Sequence, residues 1–326
     1  MLRIYERDTD RLALRDHSND TTDKAVWYDL LKPNAAEAAH VEASLAISLP
    51  TRDEMEEIEL SARLYQEDGA EFMTMTGLTN LDGDEPVKTP ITFILKGNEL
   101  VTLRYAEAKP FLMFAGRSMR GNGQSYTSGE DIMLGLIEAV IDRLADVLER
   151  MGNEIDAISR EVFRGKKAKA NEKERDLQAL IDQLGQKGDF LSSARESLVS
   201  ISRLVAYHAA LETPSRKLTK ETRQMIKLLQ RDASSLGDHA AFLSGKINFL
   251  LDATLGLINL EQNQIIKIFT VASVVFLPPT LVASVYGMNF EGMPELRWQL
   301  GYPWAVVLMI LSAALPFLYF KRRGWL

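Results

Sequence analysis

Two long apolar runs near the C-terminus constrain the fold of this 326-residue chain more than any other feature. Residues 265–285 are apolar except for Lys267 and a few hydroxyl side chains, and residues 304–320 form the second run. A helix of about 20 residues is long enough to cross a hydrocarbon core of about 30 Å. Charged residues are dense up to about residue 264 and sparse from there to Lys321. The pattern predicts a large water-facing part followed by two membrane-spanning helices.

The residues at the ends of these runs are typical of membrane interfaces, where Trp, Tyr and clusters of Lys and Arg are enriched. They are Trp298, Tyr302, the cluster Lys321-Arg322-Arg323, and Trp325. Because basic clusters favour the cytoplasmic side, we expect both chain ends to be cytoplasmic. The predicted parts are a first span at about 265–285, an external loop at 286–302, a second span at about 303–320 and a cytoplasmic basic tail at 321–326. A buried hairpin inside a large soluble core is the alternative.

The residues before the spans predict an α+β cytoplasmic domain at 1–127. Two capping boxes, Asn34 with Glu37 and Thr51 with Glu54, predict helices that extend to about residues 45 and 61. The dipeptide Gly97-Asn98 predicts a hairpin turn between two strands, and a short helix is expected at 110–119. The predicted strands are 2–6, 12–16, 25–31, 62–66, 71–78, 90–96 and 99–105.

A cytoplasmic helical region is predicted at 128–264, with helices at about 128–163 and 171–211. A third helix begins near Ser215 and has no stop signal before the first span. Helix over 215–285 would be on the order of 100 Å long at 1.5 Å per residue. Since one helix cannot bury so long an apolar stripe alone, we expect a stalk in an oligomeric bundle.

Composition and motifs exclude several classes of function. Cysteine is absent, which excludes disulfides, thiolate metal sites and cysteine nucleophiles. The net charge of -7 argues against nucleic acid as a partner, and the absence of a phosphate-binding loop argues against a nucleotide. The start of the chain shows no secretory signal. Residues 1–130 hold no catalytic constellation, so we expect neither an enzyme anchored by two spans nor a cofactor. The acidic stretch 53–59 is predicted to be a solvated helix face, with Met55 and Ile58 packed inward.

One face of the first span carries a polar stripe at steps of three and four residues. Its members are Asn263, Ile266, Thr270, Ser273, Leu277, Thr280 and Ser284. Neutral oxygens accept hydrogen bonds from the waters that Mg²⁺ gives up reluctantly, whereas carboxylates inside the membrane would hold a divalent ion too tightly for passage. The stripe therefore predicts a pore lining for hydrated cations, with Ile266 and Leu277 as apolar constrictions. Hydroxyls bonded back to their own helix are the alternative.

The loop between the spans carries an extended motif. It consists of Tyr286-Gly287-Met288-Asn289-Phe290, Met293-Pro294-Glu295-Leu296 and Gly301-Tyr302-Pro303, and residues 276–284 and 319–326 extend it. The motif resembles the CorA family of magnesium transporters, closely over about 248–326 and more loosely before that. The resemblance implies a homopentameric funnel that transports Mg²⁺, with Co²⁺ and Ni²⁺ as lesser substrates. Because the sequence has no phosphate-binding loop, we expect this transport across the cell inner membrane to be passive and driven by the membrane potential.

The resemblance also implies roles for residues. Gly287, Met288 and Asn289 would form the selectivity loop, with hydrated Mg²⁺ bound chiefly at Asn289. Met288 argues against the alternative, a Zn²⁺ transporter of the same superfamily. A passive scaffold is a further alternative. The family's pore asparagine falls on Asn263, and an acidic position lower in the stalk falls on Asp252. The gate positions fall on Ile266, Phe269 or Thr270, and Leu277.

Acidic side chains predict two further features. Glu291 and Glu295 of the external loop would raise the local concentration of cations. In some family members, acids on the stalk and on a neighbouring domain bind Mg²⁺ as a regulatory ligand and close the channel. One such stalk position falls on Leu228 here, and the nearest acids are Asp232 and Asp238. The candidate partners in the N-terminal domain are Asp82, Asp84 and Glu85.

Overall fold

The structure is a computed structural model that divides into two compact units, Met1–Leu250 and Leu251–Leu326. The described residues are 1–8, 11–15, 24–83, 86–120, 126–163, 177–211, 218–288, 292–294 and 298–325. An α+β N-terminal part, a long helix and two C-terminal apolar helices follow one another along the chain, as the sequence predicts. The exact three-part division at residues 127 and 264 stays a prediction.

A seven-stranded sheet, counted over the described residues, forms the centre of the N-terminal part. Its strand order is β2-β1-β3-β7-β6-β5-β4, and among these neighbours only β3 and β7 pair in parallel. The predicted hairpin is confirmed, because Lys96 pairs with Glu99 across Gly97, whose φ of 60° suits a tight turn. The strands are β1 Leu2–Asp8, β2 Arg11–Arg15, β3 Ala25–Leu31, β4 Leu64–Glu67, β5 Ala70–Thr79, β6 Val87–Lys96 and β7 Glu99–Arg104.

Among the described residues, four short helices pack against this sheet, and one of them ends earlier than predicted. Both capping boxes are present, at Asn34 and Thr51. The helix after Thr51 ends at Glu56, however, and residue 57 is extended. Ile58 is therefore off the helical face of buried Met55 and is 91% exposed, so the prediction that Ile58 packs inward is wrong. The helices are α1 Ala35–Leu45, α2 Arg52–Glu56, α3 Leu60–Arg63 and α4 Lys109–Met119.

Two groups of mostly buried ionisable side chains join elements that are distant in sequence. Arg104 of β7 donates to both carboxylate oxygens of Asp29 on β3, at 3.0 and 2.8 Å. His208 lies between two carboxylates, with Nδ1 3.0 Å from Glu71 and Nε2 2.9 Å from Glu130. Buried charges are tolerated only when they are paired in this way. The second group ties two long helices to β5.

Three long helices follow, namely α5 Gly129–Phe163, α6 Leu177–Ala210 and α7 Lys220–Tyr286. The buried residues of α7 in the first unit recur at steps of three, four and seven, which is the pattern of a coiled-coil seam. Its contacts include an ion pair of Lys246 with Asp156 and stacking of Phe249 on Phe163 at 6.0 Å, both on α5. The seam therefore packs within the chain. The seam residues are Thr222, Ile226, Leu229, Ala233, Ala240, Leu243, Ile247 and Leu250.

The last two helices are long and apolar enough to cross a membrane. They are α7, through its C-terminal part, and α8 Gly301–Arg322. Only 6% of the most apolar window of each is buried. A hairpin in the core of a soluble protein would be mostly buried, so this finding disfavours the alternative raised from the sequence.

Candidate functional site

The polar stripe predicted for the first span lies on an exposed face of α7. All seven of its members are exposed in the single chain, and its two apolar members, Ile266 and Leu277, are 61% and 64% exposed. An exposed stripe of oxygens and apolar side chains on a membrane helix faces either lipid or another protein surface.

The opposite face of the same helix is the covered one. Val271 is 5% exposed, and Val275 and Val282 are half-buried. Ile268, one turn before Val271, is 59% exposed. From Val271 to Val282 the covered residues follow helical spacing, so this part of α7 has one packed face, and the stripe lies among its exposed residues.

Two threonine hydroxyls of the stripe donate to their own helix. Thr270 Oγ1 lies 2.7 Å from the carbonyl oxygen of Ile266, and Thr280 Oγ1 lies 2.8 Å from that of Phe276. This is the alternative arrangement considered from the sequence, and it is present for these two residues. A hydroxyl that donates its proton to the backbone keeps its lone pairs. Each threonine therefore presents an acceptor oxygen. Waters that coordinate a cation can donate hydrogen bonds to such an oxygen.

The helix continues through Pro278 and Pro279 and ends at Tyr286. Gly287 N–H bonds to Ala283 oxygen at 2.9 Å, and Met288 N–H bonds to Val285 oxygen at 3.3 Å. These bonds cap the helix and fix where the loop after α7 begins. Both Gly287 and Met288 are exposed. The remaining loop residues of the predicted site, Asn289, Glu291 and Glu295, lie outside the described residues, and so do Asp84 and Glu85.

At the other end of the first span, Lys267 contacts the tail that follows α8. Its Nζ lies 5.8 Å from the centroid of the Trp325 ring. The start of the first span and the end of the second are thus adjacent, which is the arrangement of an antiparallel membrane hairpin. Asn263 and Asp252 are exposed on the same helix.

The carboxylates proposed for a cytoplasmic metal site differ in their surroundings. Asp82 accepts hydrogen bonds from Lys109 and Arg143, and these cations hold the pKa of Asp82 below its usual range. Asp232 is half-buried and lies 3.6 Å from Arg231, whereas Asp238 is exposed. Among the described residues of the single chain, no group of three or more His, Asp or Glu side chains is placed to hold a metal ion.

A carboxylate near Asp232 was not predicted from the sequence. Burial raises the pKa of Glu138 on α5, and the charges of Asp142 and Asp232 raise it further, against the opposing charge of Arg117. These three acids come from two helices that are distant in sequence, so spacing alone could not have brought them together. Their negative charges repel one another across α5 and α7.

Comparison with known protein families identifies the family that the sequence matches. The family described as CorA-like Mg²⁺ transporter protein matches residues 22–322, which is nearly the whole chain. The chain belongs to this family. The resemblance stated from the motif in the loop is therefore confirmed, and it extends well beyond the C-terminal region on which it was based.

Individual CorA relatives match along the full chain. The magnesium transport protein CorA of Pectobacterium atrosepticum is 38% identical over 331 residues, covering 100% of both proteins. That of Escherichia coli K12 is 37% identical over 329 residues, again covering 100% of both. The complete structure of the CorA magnesium transporter from Methanocaldococcus jannaschii has a TM-score of 0.82 at 18% identity, covering 100% of this chain and 99% of that one. The CorA-like fold is therefore established.

Proposed function

We propose that the chain carries Mg²⁺ passively across the cell inner membrane, down the membrane potential. The observation that carries the proposal is its full-length similarity to magnesium transport proteins, 38% identical in one relative. The polar stripe on α7 supplies a physical route, and the two apolar helices supply the membrane spans. Both chain ends lie in the cytoplasm in this proposal. Neither an enzymatic reaction nor a cofactor is part of the account.

The exposed stripe supports a homopentamer as the transporting unit. A single chain leaves Asn263, Thr270 and Thr280 open on one side, and a pore requires that such faces surround an axis. Five copies around an axis would enclose a ring of neutral oxygens at each level. The exposed apolar residues Leu228 and Phe242 of α7 would be covered by neighbouring copies.

In this proposal the loop after α7 selects the ion and the stripe on α7 conducts it. Asn289, with Gly287 and Met288, is proposed to bind hydrated Mg²⁺ at the external mouth, where Glu291 and Glu295 concentrate cations. The stripe from Ser284 to Asn263, including Ser273, then accepts hydrogen bonds from the waters of the ion. Apolar rings at Ile266 and Leu277 are the proposed gate, since an apolar constriction closes by losing water. Phe269 or Thr270 is the third proposed gate position, and Asp252 receives the ion below the membrane.

The membrane potential is a sufficient driving force for a divalent cation. A charge that crosses 100 mV gains about 2.3 kcal/mol, so Mg²⁺ gains about 4.6 kcal/mol. That energy corresponds to an inward bias on the order of a thousandfold. A nucleotide is therefore not required, in agreement with the absence of a phosphate-binding loop.

Replacement of Asn289 tests the selectivity loop. We expect Asn289→Ala to lower Mg²⁺ uptake into proteoliposomes by at least about tenfold, because it removes acceptors for the waters of a charged ligand. Gln299→Ala, an amide change in the same loop but outside the motif, is the matched control. Comparing Mg²⁺, Co²⁺, Ni²⁺ and Zn²⁺ in the same vesicles tests the ion ranking. Unchanged flux in Asn289→Ala would refute the site, and preference for Zn²⁺ would favour the alternative transporter.

Replacement of Thr280 tests the stripe. Thr280→Val keeps the size of the side chain but removes the acceptor oxygen, so we expect Mg²⁺ uptake to fall about tenfold. Ser312→Ala is the control, because the Ser312 hydroxyl also bonds to its own helix, at 2.8 Å from the Met309 oxygen, but lies on α8. Equal effects of the two changes would contradict a special role for the stripe.

Cytoplasmic Mg²⁺ is proposed to close the channel as a regulatory ligand. Asp232 and Asp238 on α7 are the candidate ligands, with partners from a neighbouring copy. Asp82 is a poor partner because its carboxylate already binds Lys109 and Arg143. The test is Mg²⁺-dependent protection of the cytoplasmic part against protease. We expect protection that Asp232→Asn weakens, and absence of protection in the unchanged protein would refute regulation.

A further inference from the structure

Residues 323–325, which follow α8, are held in a defined position by the glycine among them. Gly324 has a φ of 70°, which favours glycine. Its N–H donates to the Lys321 oxygen at 3.2 Å, and the N–H of Trp325 donates to the Phe320 oxygen at 3.1 Å. These two bonds define a Schellman motif, in which the residue after the glycine contacts the last turn. Accordingly, the ring of Trp325 lies 5.2 Å from that of Phe320.

The fixed Trp325 ring contacts Lys267 at the start of the first span. The distance of 5.8 Å from Nζ to the ring centroid is within the range of a cation–π interaction. Lys267 follows Ile266 directly and lies one turn after Asn263, both of which belong to the proposed conduction stripe. At 3.6 residues per turn, Lys267 is about a quarter-turn from the middle of that stripe, toward the face of Val271. Its long, flexible side chain can reach either face.

We propose that Trp325 is a positioning residue for ion passage, which holds the ammonium group of Lys267 away from the conduction stripe. The inference rests on the proposed function, because it needs the stripe to carry cations. An ammonium group that turned toward the stripe would stand beside Ile266 in every copy of the chain. Its positive charge would then repel a Mg²⁺ ion in the stripe, because two positive charges repel across about 10 Å even when salt screens them partly. The ring holds Lys267 on the α8 side instead, so the path stays free of fixed positive charge.

The test measures Mg²⁺ uptake into proteoliposomes that contain the full chain, at low and high ionic strength. We expect Trp325→Ala to lower the initial rate about fivefold at low salt, with a smaller deficit at high salt. The double change Trp325→Ala with Lys267→Gln should restore the rate, because no ammonium group then remains to be held. Lys267→Gln alone should leave the rate at or above that of the unchanged protein.

The outcomes separate this inference from other roles of the tryptophan. A deficit that the double change does not repair, or that salt does not reduce, would mean that Trp325 acts only as a membrane anchor, and would overturn the inference. An unchanged rate in Trp325→Ala would overturn it as well. Absence of Mg²⁺ uptake by the unchanged protein would instead refute the proposed function.

A second variant keeps the test valid if Trp325→Ala does not assemble. Gly324→Ala strains the turn that directs Trp325, because L residues other than glycine rarely adopt a φ of 70°. We expect it to reproduce the deficit, and Lys267→Gln should again repair it. Trp325→Phe, which keeps an aromatic face, should retain most of the rate. Loss of rate in Trp325→Phe equal to that in Gly324→Ala would argue against the cation–π contact.

Discussion

At the scale of single residues, Glu138 gives a prediction about pH. Because burial and the charges of Asp142 and Asp232 raise its pKa, the folded state binds a proton there more tightly than the unfolded chain. The stability contributed by this proton is fully present below the unfolded pKa and is lost as the pH rises through the folded pKa. We therefore expect Glu138→Gln to raise the melting temperature at neutral pH in the absence of divalent cations, and to have less effect in acid.

Thermal unfolding followed by circular dichroism from acid to neutral pH checks this expectation. Glu149→Gln is the matched control, because Glu149 is an exposed glutamate of the same helix and a surface change usually alters stability by less than about 0.5 kcal/mol. A lower melting temperature for Glu138→Gln at neutral pH would contradict the account of repelling carboxylates.

Local residue patterns were predictable, and contacts between distant residues were not. The capping box of Asn34 and Glu37 was predicted because its two bonds involve residues three apart. The contacts of His208 with Glu71 and Glu130 span 137 and 78 positions. No local spacing in the sequence indicates such a contact.

At the scale of elements, the start of α5 packs against the backbone of β7. A Cβ atom on Gly129 would lie 2.6 Å from the carbonyl carbon of Glu99 and from the nitrogen of Leu100. Since backbone cannot move aside as a side chain can, we expect Gly129→Ala to lower the free energy of unfolding by about 1–3 kcal/mol. Urea denaturation of the purified chain measures this change.

Gly185 in α6 is the control for that substitution. No atom lies within 4 Å of the position that its Cβ would occupy, so Gly185→Ala meets no obstacle. Alanine is favoured over glycine inside a helix by about 0.5–1 kcal/mol. Opposite signs for the two substitutions are the expected result, and a stabilising Gly129→Ala would show that the contact with β7 is looser than the structure has it.

Apolar periodicity predicted the long helices but not which surfaces cover them. The pattern on α7 correctly indicated a helix that continues into the first span. Part of its apolar surface packs within the chain, through contacts such as that of Phe249 with Phe163, while Phe242 remains exposed. Periodicity identifies a face, but the partner of that face depends on tertiary structure. The end of α2 at Glu56 was missed for a different reason, because a capping box marks only where a helix begins.

At the scale of the whole molecule, the two apolar runs and the loop between them allowed both the fold class and the family to be predicted. The match of residues 22–322 to the CorA-like family confirms the predicted family. The pentamer and the roles of Asn289, Glu291 and Glu295 remain proposals. The pentamer depends on contacts between copies of the chain, which a single chain does not contain. The roles of the three loop residues depend on positions that lie outside the described residues.

The most direct test of the central claim is Mg²⁺ influx into proteoliposomes under a set membrane potential and without nucleotide. A potassium diffusion potential of about 100 mV, negative inside, should drive Mg²⁺ into vesicles above its external concentration, since the bias is about 4.6 kcal/mol. Reversal of the potential should suppress the uptake, and Asn289→Ala should abolish most of it. Influx no greater than in protein-free vesicles, or influx that ignores the potential, would contradict the account.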